Sequence, residues 1–88
     1  MNDQMPSIGR IVHYVLDSGR SRGEHRAAVV VQVWSGMIAN LQVFMDGTND
    51  YDSRETVALT TWRTSVHFSD DHKLGTWHWP EYVSARSG

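Results

Sequence analysis

Apolar and polar positions alternate along much of this chain with a period of two, and no window carries the 3.6-residue stripe of an amphipathic helix. Residues 9–16 (GRIVHYVL) are dense in β-branched and aromatic side chains and predict a first strand. Residues 25–34 are apolar at nearly every position from Ala27 to Trp34, which predicts a strand covered on both faces. Residues 35–39 predict a turn, and residues 40–45 a strand with Leu41, Val43 and Met45 on one face and Asn40, Gln42 and Phe44 on the other. Residues 57–68 predict a further strand, with Ala58, Thr60, Trp62, Thr64, Val66 and Phe68 on one face. Residues 76–79 predict a short last strand that Pro80, lacking an amide proton, brings to an end.

Between these runs lie the polar loop 17–24, the Asp46-Gly47-Thr48-Asn49-Asp50 turn and the charged turn 69–73. About five short antiparallel strands at regular spacing predict an all-β fold, a small barrel or sandwich. The 88 residues suffice for a single domain spanning 1–88, with loose ends at 1–8 and 84–88. A domain this small, with no disulfides, often completes its core with another copy, so a homo-oligomer is expected.

The net charge of −2 argues against general nucleic-acid binding, which needs a basic footprint. The absence of cysteine excludes disulfides, thiolate metal sites and cysteine nucleophiles. No apolar run is long enough to span a membrane as a helix, and residues 1–6 lack the features of a signal peptide, so a cytoplasmic location is expected.

Candidate chemistry concentrates in the last third, where Trp62, Trp77 and Trp79 fall close to His67, His72 and His78. In an extended Trp77-His78-Trp79 run the two indoles share one side and the imidazole takes the other. His67, His72 and His78 straddle a strand, a turn and a strand without a close HxH or HxxxH pair, so neither a metal site nor a cofactor is expected and the fold should stand without metal. The Asp46–Asp50 segment lacks the spacing of a calcium loop and is expected to be a hydrogen-bonded turn. No nucleophile elbow or phosphate loop is present, and no enzyme activity is expected.

The aromatic excess has a binding reading. Rings stack on nucleobases, and arginines pair with phosphates. A ligand site is therefore expected from Tyr14, Arg26, Asn40, Gln42, Phe44, Trp62, Arg63, Trp77, His78 and Trp79.

The opening Gly-hydrophobic strand, polar loop and Arg26-Ala27-Ala28-Val29-Val30-Val31 resemble the start of SH3-like barrels, including those of toxin nucleases. From Ile11 to Glu81 the chain also resembles a group of small phage- and prophage-encoded proteins. Val12-His13-Tyr14-Val15-Leu16, Asn40-Leu41-Gln42-Val43-Phe44 and the ending Gly75-Thr76-Trp77-His78-Trp79-Pro80-Glu81 carry that likeness. It departs from the group's usual Arg-Pro at Arg26-Ala27. The resemblance implies a phage accessory protein acting in a bacterial host cell. By analogy, its expected role is anti-defence: a sponge that sequesters a nucleotide-derived immune signal. The alternatives are an adaptor or inhibitor of a host protein and, after it, a small nucleotide hydrolase.

Overall fold

The computed structural model describes residues 5–52 and 57–81. The strands are β1 (Ile11–Val15), β2 (His25–Val33), β3 (Ile38–Phe44), β4 (Thr60–His67) and β5 (Trp77–His78). They form one antiparallel sheet in the order β4-β3-β2-β1-β5, with no helix among the described residues. The sheet curls into a half-barrel compatible with a small SH3-like barrel. Its two edges approach at one end, where Phe68, just past β4, forms a parallel bridge to Trp77 of β5. The predicted loose segments at 1–4 and 84–88 lie outside the described residues; within 5–8, the Ser7 carbonyl accepts the Arg10 amide at 3.1 Å.

Cross-strand register sorts the side chains. Val12, Ala28, Val43 and Thr61 lie opposite one another across β1 to β4 on the concave face. Val12, Tyr14, Val30, Leu41 and Trp77 are fully or almost fully buried and form the centre of the core. Each such side chain contributes roughly 1.5–3 kcal/mol by leaving water. Trp77 is pinned further, because its Nε1 donates to the Met37 carbonyl at 2.9 Å.

Several details differ from the sequence expectation. β3 starts at Ile38, because the Trp34 amide donates to the Ile38 carbonyl at 2.8 Å and shortens the turn. In β4 the alternation breaks. Trp62 faces outward while Val66 is buried in the core, although strict alternation puts both on one face. The cause is an irregularity opposite Asn40, where Ser65 takes a φ of 53° and the register shifts between Ala39 and Leu41. Nor is β2 covered on both faces. Ala27 and Val31 are exposed, because no second layer covers the convex side among the described residues.

The Asp46–Asp50 segment is the hydrogen-bonded turn its composition indicates. Asp46 Oδ1 accepts the Thr48 and Asn49 amides at 2.9 and 3.2 Å. Asp50, nearly inaccessible, takes a two-pronged hydrogen bond from Arg26 on β2 and the Asp46 amide at 2.7 Å. No helix among the described residues is long and apolar enough to cross a membrane.

Candidate metal centre

Four histidines and a glutamate meet at the β1–β5 edge of the sheet. The pleat makes this possible. Val12 and Tyr14 point into the core, so His13 between them points to the convex side. Trp77 points into the core, so His78 points the same way as His13, and the two are direct cross-strand partners. His25, opposite Val15, adds a third imidazole from the start of β2. The turn 69–76 then carries His72 over the group, with His72 itself at a φ of 57°. Gly75, at a φ of +75° and against Asp17, turns the chain into β5. Beyond Pro80, Glu81 reaches back to the rings.

The carboxylate of Glu81 is the hub. Oε1 lies 3.2 Å from His13 Nδ1, and Oε2 lies 3.3 Å from His78 Nε2 and 3.6 Å from both His25 Nδ1 and His72 Nδ1. One donor atom from each of His13, His25, His78 and Glu81 falls within 4.8 Å of all the others. In a tetrahedral zinc site with bonds of ~2.0–2.1 Å, neighbouring donors stand about 3.3 Å apart. The Glu81-to-histidine distances are already near that edge length.

His78 is the singular member. It is 2% exposed, and neither ring nitrogen has a hydrogen-bond partner. Its Nε2 is close to Glu81 Oε2 but not aligned for a hydrogen bond. A buried polar group left unmatched costs about 1–3 kcal/mol. Burial, reinforced by the neighbouring His72, pushes the His78 pKa down to about 4, so the ring is neutral at physiological pH and its lone pair is available to a metal. Desolvation opposes ionisation of Glu81, but its own backbone amide and the surrounding histidines outweigh it and hold the carboxyl below its usual range. Neutral imidazoles and an ionised carboxylate are the protonation states a metal requires.

The residues expected to bind a nucleotide are divided between two faces. Tyr14 and Trp77 are core, and Trp79 packs edge-on against Trp77 at 5.1 Å, half-buried. Arg26 is committed to Asp50, and Arg63 donates from Nε to the Tyr14 hydroxyl at 3.1 Å. Arg63 also lines a cleft of about 240 Å³ with Asp17, Arg20 and Tyr51. On the convex face Phe44 and Trp62 are half-exposed, Gln42 donates to Thr60 Oγ1 at 3.0 Å, and Asn40 is buried. His78 alone of that set belongs to the histidine cluster.

His13 and His25 are the members that linear spacing does not reveal. They stand far from His78 in sequence and meet it only through the β2-β1-β5 order. For His13 the available signal was its phase, opposite buried Val12 and Tyr14, whereas His25, between Glu24 and Arg26, carries no such signal. His67, by contrast, is exposed and pairs with Ile38 across β3 and β4, outside the cluster. No protein-family model, curated protein or solved structure matches this chain.

Proposed function

We propose that this chain is a zinc-binding domain, with the ion held by His13, His25, His78 and Glu81. The observation that carries the reading is His78, a buried imidazole with two unpartnered nitrogens, facing three further donors that converge from separate segments. Zinc suits a set of nitrogen and oxygen ligands without geometric demands of its own. The donors stand somewhat wider than a loaded tetrahedron, and side-chain rotation closes them on the ion. Binding joins β1, β2 and the segment after β5, so the ion fastens a two-residue edge strand to the body of the sheet. Four protein ligands, with His72 beside them, leave no position reserved for a reactive water. The role is therefore binding and clasping rather than catalysis.

Calorimetric titration of chelator-treated protein with zinc chloride tests this. The expected result is one zinc per chain at submicromolar affinity, lowered more than ~100-fold in His78→Ala and unchanged in His67→Ala. Absence of saturable binding, or equal binding by His78→Ala, overturns the proposal.

A further inference from the structure

We infer that the convex face of the sheet is where a second copy of this chain docks, face to face. In an antiparallel sheet with one solvated side, the outward positions are ordinarily polar and often charged. Here the register places Ile11, Val29, Gln42 and Trp62 in one row across β1 to β4. Phe44 and Trp34 flank that row, and Ile11, Trp62, Phe44 and Trp34 are each close to half-exposed. Among the described residues, no outward position of these four strands is Asp, Glu, Lys or Arg. Depletion of charge and enrichment of aromatics mark the centre of a protein interface.

Two amide side chains in and beside the row are already engaged. Gln42 Nε2 donates to Thr60 Oγ1 at 3.0 Å. Asn40 Oδ1 accepts the Trp34 indole N–H, the Thr64 hydroxyl and the Ser65 amide at 2.9, 3.0 and 2.9 Å. These groups can leave water without being stranded, so covering them incurs little of the usual desolvation penalty.

Two arguments select a second copy as the occupant. With Glu81 and its histidines confined to the β1–β5 edge, the row from Ile11 to Trp62 carries no charge and meets its own image without like-charge repulsion, as a two-fold interface requires. The dimensions also fit. Three half-exposed rings offer ~300 Å². Strands ~4.8 Å apart and about six residues long give a platform roughly 20 Å on a side. That platform, about 400 Å² in outline, supplies the apolar centre of an interface whose polar rim makes up the rest of the ~800 Å² each partner contributes. The product is a back-to-back pair of half-barrels, ~10 Å apart where their convex faces touch.

Sedimentation equilibrium of the full chain at about 50 µM, with and without chelator, tests the proposal against the mass law for dimers. The expected mass is about twice the 10.0 kDa chain in both conditions. Trp62→Lys and, independently, Phe44→Lys should give folded monomers with unchanged circular dichroism. Leu74→Lys, at an exposed apolar position outside the four strands, should remain dimeric. A wild-type monomer overturns the proposal and leaves the face to a different protein. A dimer that persists in both folded variants, or that dissociates on chelation alone, places the interface elsewhere and also overturns it.

Discussion

The imidazole of His72 lies flat on that of His78, ring centroids 3.7 Å apart and planes 21° from parallel. This contact closes the solvent side of the most buried donor in the centre, while His72 Nδ1 stays 3.6 Å from the Glu81 carboxylate. His25 stands at the same distance from Glu81, but His72 falls outside the group of donor atoms that all lie within 4.8 Å of one another, which on the zinc-binding proposal makes it a cover rather than one of the four ligands.

It follows that His72→Ala should retain one zinc per chain, with affinity altered by about tenfold or less, while zinc leaves faster. Stopped-flow transfer of zinc to a chromogenic chelator measures the release rate. A loss of stoichiometric binding would instead make His72 a ligand.

Zinc should stabilise the fold, because the donors come together only in the folded sheet. At ~100 times its dissociation constant, a ligand adds about 2.7 kcal/mol. In a domain of this size that raises the melting temperature by roughly 10–20 °C. Thermal melts with zinc, and again with excess chelator, check both the size and the reversibility. Magnesium, a hard ion that prefers oxygen, should give no shift.

Much of the fold was legible in the residues. Alternation at Leu41/Val43 against Gln42/Phe44 marks β3, and the Trp77-His78-Trp79 run correctly separates indoles from imidazole. The phase of β4 was not legible. A serine at positive φ reverses alternation through a hydrogen bond to Asn40, a residue distant in sequence. The site was hidden for a related reason. His13 and His78 become neighbours only because β5 adds to the β1 edge, and strand order is a property of the whole sheet. Aromatic residues likewise carried no label of face: Trp77 is core, whereas Trp62 is outward.

The Arg26–Asp50 pair should add to the acid sensitivity of the metal-free fold, below the range where buried His78, pushed down to about 4, already favours the unfolded chain as the pH falls from about 6.5. Arg26, donating its hydrogen bonds, holds the Asp50 carboxyl far below the usual carboxylate range. The unfolded chain takes up this proton near pH 4, while the folded chain resists to lower pH. Between those values the unfolded state binds more protons, so the contribution is complete above about pH 5 and is lost as the pH falls. Urea denaturation in chelator at pH 7 and pH 3 should show a smaller pH-dependent loss in Asp50→Asn than in wild type. At pH 7 that variant should be destabilised by about 3–5 kcal/mol, because it leaves Arg26 without its counter-charge.

Trp77 should behave as a structural residue. Trp77→Ala removes the largest fully buried side chain and strands the Met37 carbonyl, which should cost about 3–5 kcal/mol. Chemical denaturation at saturating zinc measures the cost. A near-neutral change would contradict the placement of this indole in the core.

The most direct measurement is long-range proton–nitrogen correlation NMR of the histidine rings during zinc addition. The zinc-binding account expects Nδ1 of His13, Nδ1 of His25 and Nε2 of His78 to shift in slow exchange, complete at one equivalent. His67, outside the cluster, should not move and serves as the internal reference. If the three rings are unchanged at one equivalent, or if all the histidines including His67 drift together without saturation, the centre is not a zinc site.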